Sequence, residues 1–144
     1  MTDTDLTELT AISAIDGRYR RLCGELATYF SEFALIRYRV EVESRWLLQL
    51  AGESRIEELA GLSDSTRSAL EGLVSHFDLE DAKRVKEIER TTNHDVKAVE
   101  YFIKETLAAK SDITPHQLEF VHFACTSEDI NNLAYGLMLA NCRD

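Results

Sequence analysis

With 144 residues, 44% of them hydrophobic, the chain can bury a core of its own, and a single domain over residues 1–144 is the expectation. Its 26 acidic and 16 basic side chains give a net charge of −10, which argues against nucleic acid as the main partner, because sequence-independent affinity for phosphate backbones needs clustered Lys and Arg. Cys23, Cys125 and Cys142 are an odd set without paired spacing, no apolar run approaches the ~20 residues of a membrane span, and MTDTDLTELT lacks a basic or apolar leader; a chain neither exported nor embedded, in a reducing cytoplasm, is expected.

One proline and six glycines leave little punctuation, and the apolar pattern keeps the helical period, so the fold class is all-α after an irregular N-terminal arm. The first helix is predicted from about Ser31 to Ala51, with Phe33, Ile36, Val40, Leu47 and Leu50 on one side, charged residues on the other faces and Gly52 as its stop. Shorter helices are predicted at roughly Asp64 to Val74 and Leu79 to Glu89. The last three starts are marked by Thr92 with Asp95, Thr114 with Gln117 and Thr126 with Asp129, each a hydroxyl three residues before a side chain that can close a capping box. Each opens an apolar-periodic run, and Pro115 fits the first position of its helix. After Thr126, the residues Ile130, Leu133, Ala134, Leu137 and Met138 follow the template of a helix that buries one face.

Three segments carry polar density suited to binding: Asp16-Gly17-Arg18-Tyr19, Thr91-Thr92-Asn93-His94-Asp95 and Thr126-Ser127-Glu128-Asp129. The second and third lie at predicted helix N-termini, where free N–H groups and the macrodipole favour carboxylate or phosphate. Arg18 can hold phosphate with its planar fork, beside the ring and hydroxyl of Tyr19. Each has a plain structural alternative: Thr92/Asp95 and Thr126/Asp129 as caps, Asp16-Gly17 as a turn, His94 as a surface histidine. His122 and Cys125 share a helical face with His116 nearby, but the set is too small for a structural zinc site and matches no metal spacing. No metal is therefore expected; His122 reads as a packed or hydrogen-bonded histidine, Cys125 as a small buried residue, and His76 and His116 as surface residues. The remaining acidic content reads as mostly solvated helix faces.

At these same segments the chain resembles the adenylosuccinate lyases, particularly the bacterial branch, from about Leu6 to the C-terminus. The matching stretches are LTAISAIDGRY (9 to 19), IERTTNHDVKAVEYFIKE (88 to 105) and EFVHFACTSEDINNLAYGLML (119 to 139), whereas residues from about Gly52 to Phe77 match only loosely. The resemblance implies the N-terminal helical domain of the fumarase/aspartase (L-aspartase-like) superfamily, whose enzymes cleave a C–N or C–O bond and release fumarate. In this family the substrates are adenylosuccinate, which yields AMP, and the succinylocarboxamide ribotide of purine synthesis; no cofactor is implied.

Carried over residue by residue, the resemblance makes Arg18 and Tyr19 nucleotide-binding positions, with Arg18 at the phosphate. Asn93, His94 and Asp95 become a substrate-binding trio, and Thr126 and Ser127 contacts to the succinyl portion. It places the histidine acid and the serine base of the elimination in a central helical domain beyond Asp144, with sites shared between subunits of a homotetramer. The chain alone is then expected to be inactive, with His94 binding substrate, stabilising charge or assisting proton transfer. Two alternatives remain open from the sequence: another fumarate-releasing lyase of the superfamily, such as one acting on argininosuccinate, and a non-enzymatic helical interaction module.

Overall fold

A computed structural model describes residues 7–143; the first six residues and Asp144 of the expected domain, including the Leu6 at which the resemblance begins, lie outside the described residues. All regular structure among the described residues is helical, as the apolar period requires. The arm from Thr7 onward runs as successive turns into a short 3₁₀ segment, Gly24–Leu26, and a one-turn helix α1, Ala27–Phe30. Six helices follow: α2 (Glu32–Ala51), α3 (Asp64–Ser75), α4 (Leu79–Thr92), α5 (Asp95–Lys110), α6 (Pro115–Leu118) and α7 (Ser127–Arg143).

Local chemistry explains most of these starts. Ser31 and Ser63 accept the amides of Ala34 and Thr66, and Asp78 forms a full capping box with Asp81. Thr114 and Gln117 close the predicted box ahead of Pro115, yet α6 lasts a single turn instead of opening a periodic run. Gly52 does end α2, but with φ −87°, so its backbone does not use the left-handed freedom of glycine.

The central element is α2, which packs against α3, α5 and α7, while α4 pairs with α5. The main core joins Val40 and Leu47 of α2 to Leu70, Val85, Val99, Ile103 and Leu107 of α3, α4 and α5. Two smaller clusters attach α7: Ala34 and Tyr38 against Ala134 and Met138, and Val42 against Val96 and Ile130. The second seats the first turns of α5 and α7 side by side on α2.

Being central, α2 is buried on more than the apolar side that its pattern predicts. Arg39 and Glu43 are inside, 3% and 0% exposed, which corrects the expectation that its charges face outward. Glu100 of α5 is also buried, between Lys97 at 2.7 Å and Lys104 at 3.1 Å, so two acidic side chains leave the solvated faces assigned to them. On α7 the apolar template is only half buried: Ile130, Ala134 and Met138 are inside, but Leu133 is 59% exposed.

Candidate functional site

The helix start predicted at Thr92 falls two residues later. Thr92 ends α4, its hydroxyl donating to the His94 carbonyl at 3.1 Å, and Asn93 reverses the chain in the left-handed region at φ 52°, a conformation asparagine tolerates. His94 is the cap of α5: its Nδ1 accepts the Lys97 amide at 3.2 Å. An imidazole that accepts at Nδ1 carries its proton on Nε2 when neutral. That Nε2 faces the Ser127 hydroxyl at 3.4 Å, a long contact across two helix starts.

The start of α7 behaves as its sequence predicts. Both the amide and the hydroxyl of Thr126 donate to Asp129 Oδ2, at 2.7 and 2.9 Å, and the Asp129 amide returns a longer bond of 3.4 Å to the Thr126 hydroxyl. Thr126 thereby caps α7, while the neighbouring Ser127 hydroxyl is turned to His94.

Asp95 is fixed by a residue that sequence reasoning missed. The guanidinium of Arg39 meets Asp95 Oδ2 at 2.7 Å and donates from Nε to Asn131 Oδ1 at 2.9 Å, so one buried cation ties the starts of α5 and α7 to α2. Burial would push the Asp95 carboxyl up; the Val96 amide and the charge of Arg39 outweigh it and hold it below the usual carboxylate range. The available signal was an arginine four residues before a glutamate inside an otherwise apolar helix face. Arg90 joins Asn93, His94 and Asp95 in lining a surface cavity of about 510 Å³ with Glu32, Lys86 and Glu89.

Arg18 and Tyr19 are not drawn into this cluster. Both are exposed, the Arg18 guanidinium lies 4.6 Å from the Tyr19 ring centroid, and its Nη2 donates to the Tyr19 hydroxyl at 2.9 Å. Among the described residues, no hydrogen bond or ion pair joins either one to His94, Asp95 or Ser127. The five remaining candidates converge through backbone turns and the His94–Ser127 contact, beside a cavity that Lys86 and Arg90 line together with Glu32, Glu89 and Asp95.

The other histidines separate as expected. His122 is hydrogen-bonded to the buried Glu43, and His76 and His116 are exposed. Cys125 is half-buried, with burial and the nearby Glu43 carboxylate raising its thiol pKa, the opposite of what a nucleophile needs. No cluster of three or more metal-ligating side chains occurs among the described residues, and no helix there is long and apolar enough to cross a membrane.

A family model described as "Lyase" matches residues 17–144. The chain is 52% identical to an adenylosuccinate lyase of Haemophilus influenzae over 139 residues, covering 96% of this chain and 30% of that protein. It is 51% identical to an adenylosuccinate lyase of Vibrio cholerae and 50% identical to one of Escherichia coli K12, each over 141 residues, covering 97% of this chain and 30% of each relative. The chain thus spans about a third of the length of the curated relatives it matches.

Proposed function

This chain belongs to the lyase family whose model its residues 17–144 match, and on that premise we propose that it supplies the N-terminal share of an adenylosuccinate lyase active site. It acts there as one domain, 1–144, with the central helical bundle and C-terminal domain contributed by further polypeptide. The observation that carries this is the convergence of two helix N-termini: His94 Nε2 stands 3.4 Å from Ser127 Oγ, with Asn93 and Asp95 on the same side. Relatives named for adenylosuccinate favour that substrate over argininosuccinate and over a non-enzymatic role.

In this site Asn93, His94 and Asp95 bind the substrate, Thr126 and Ser127 contact its succinyl portion, and Arg18 with Tyr19 holds the nucleotide phosphate. Elimination withdraws a proton from the carbon beside a succinyl carboxylate and protonates the departing nitrogen. The base and acid come from outside this chain. What His94 supplies is an Nε2–H donor aimed at charge that develops on the carboxylate, and preorganised donors of this kind account for a large part of such catalysis. The assembly is a cytoplasmic homotetramer whose subunits complete each other's sites, which leaves the chain alone inactive.

A chimera tests this directly. This chain, substituted for the matched segment of the Haemophilus influenzae enzyme, should release fumarate from adenylosuccinate, while the 144-residue chain alone should give background. A folded chimera of native size without activity would overturn the assignment.

A further inference from the structure

The loop between α6 and α7 is fastened to α2 at two points. Glu43, wholly buried, pairs through Oε1 with Nδ1 of His122 at 2.5 Å. Three residues further along α2, Trp46 donates its indole N–H to the Phe123 carbonyl at 2.8 Å. From His122 to Thr126 the backbone enters the left-handed region twice, at His122 (φ 66°) and Ala124 (φ 59°). Neither is a glycine, and alanine has no polar side chain to support the conformation locally. Backbone of this kind persists where its surroundings over-determine it, and it clusters at sites that must be held in one shape.

The Glu43 side is an unusual anchor. Its second oxygen, Oε2, is buried without a hydrogen-bond partner, so His122 is the polar partner on which the carboxyl depends. Burial pushes this carboxyl up, against the hydrogen bond from His122 that pulls it down. A buried ion pair is weak evidence for a purely stabilising role, since well-packed hydrocarbon in place of both partners is often as stable. Five residues after His122 stands Ser127, whose hydroxyl reaches His94.

We propose that Glu43 and Trp46 are positioning residues: by gripping His122 and the Phe123 carbonyl they fix the strained loop, and with it the distance from Ser127 to His94. This rests on the assignment of His94 and Ser127 to the substrate site. Glu43 is wholly buried and out of reach of any ligand. The effect of the two residues passes through the loop to the first turn of α7.

Amide hydrogen exchange and imidazole nitrogen shifts of the 144-residue chain test the proposal. Asp129 and Ile130 close the first turn of α7 onto the Thr126 carbonyl. Their amides should exchange about 10-fold faster in Glu43→Leu and in Trp46→Phe, equivalent to ~1.4 kcal/mol of local opening. The amides of Val99 and Ile103 in the core should stay within about twofold. Glu43→Gln should restore both the exchange and the His94 shifts, because a carboxamide can accept from or donate to His122. Unchanged exchange at Asp129 and Ile130, an equal rise at Val99 and Ile103, or no rescue by glutamine would each overturn it. An inactive chimera would instead overturn the lyase assignment, so the two failures are told apart.

Discussion

Arg39 is 3% exposed and meets the Asp95 carboxylate at 2.7 Å, one helix reaching across to fix the first residue of another. The same guanidinium holds Asn131 of α7, so α5 and α7 share one buried cation. Arg39→Met fills similar space without the fork. It should destabilise the chain by about 1.5–3 kcal/mol, the range for a hydrogen bond to a charged group, because Asp95 is left without its partner while remaining partly open to water. Chemical denaturation measures it; a loss below about 0.5 kcal/mol would show that solvent replaces Arg39 freely.

The same pair sets a pH dependence. Asp95 is held below the usual carboxylate range, so the unfolded chain takes up the proton first as pH falls. Its contribution is complete above the ordinary value near 3.8 and is lost as pH drops through the lower folded one. The stability difference between the native chain and Asp95→Asn should therefore be flat from about pH 8 to 5 and shrink below about pH 4. A difference that grows towards acid pH would contradict the direction assigned.

His94 both caps α5 and faces Ser127, and two substitutions separate these roles. His94→Ala removes the cap and should cost about 0.5–2 kcal/mol, whereas His94→Asn supplies one of the best capping side chains and should cost much less. In the active chimera both should lose kcat, since neither carries the Nε2–H donor. Full turnover by the asparagine variant would reduce His94 to a cap.

Arg18 tests the arm. In the chimera, Arg18→Ala removes a charge-assisted contact worth about 1.5–3 kcal/mol, or roughly 10- to 150-fold in affinity. The loss should fall mainly on KM, with a smaller decline in kcat, because the phosphate is remote from the bond that breaks. Arg18→Lys should recover part of it, an ammonium lacking the bidentate fork. An unchanged KM in steady-state kinetics would remove Arg18 from the site.

By itself the sequence determined what is local. The helical period over residues 32–51, 64–75 and 79–92, the Thr114/Gln117 and Thr126/Asp129 boxes and Pro115 at a first helical position depend on neighbours within a few residues, and these held to within a turn. At Thr92 the same rule misplaced the cap by two residues, because the Thr92 hydroxyl donates to the carbonyls of Glu89 and His94 and accepts no α5 amide, while Asn93 takes the left-handed turn that a Thr92 cap would not allow. Only the tertiary structure decided which charges are interior. Arg39 and Glu43 are soluble-looking residues until α5, α7 and the loop at His122 close over them, and their partners lie 56, 92 and 79 positions along the chain. Pairings at such separations leave no periodic trace, since they are fixed by how helices pack and not by what any one helix prefers. For the same reason the contact between His94 and Ser127, 33 residues apart, had to come from the packing of Val42, Val96 and Ile130 beneath it.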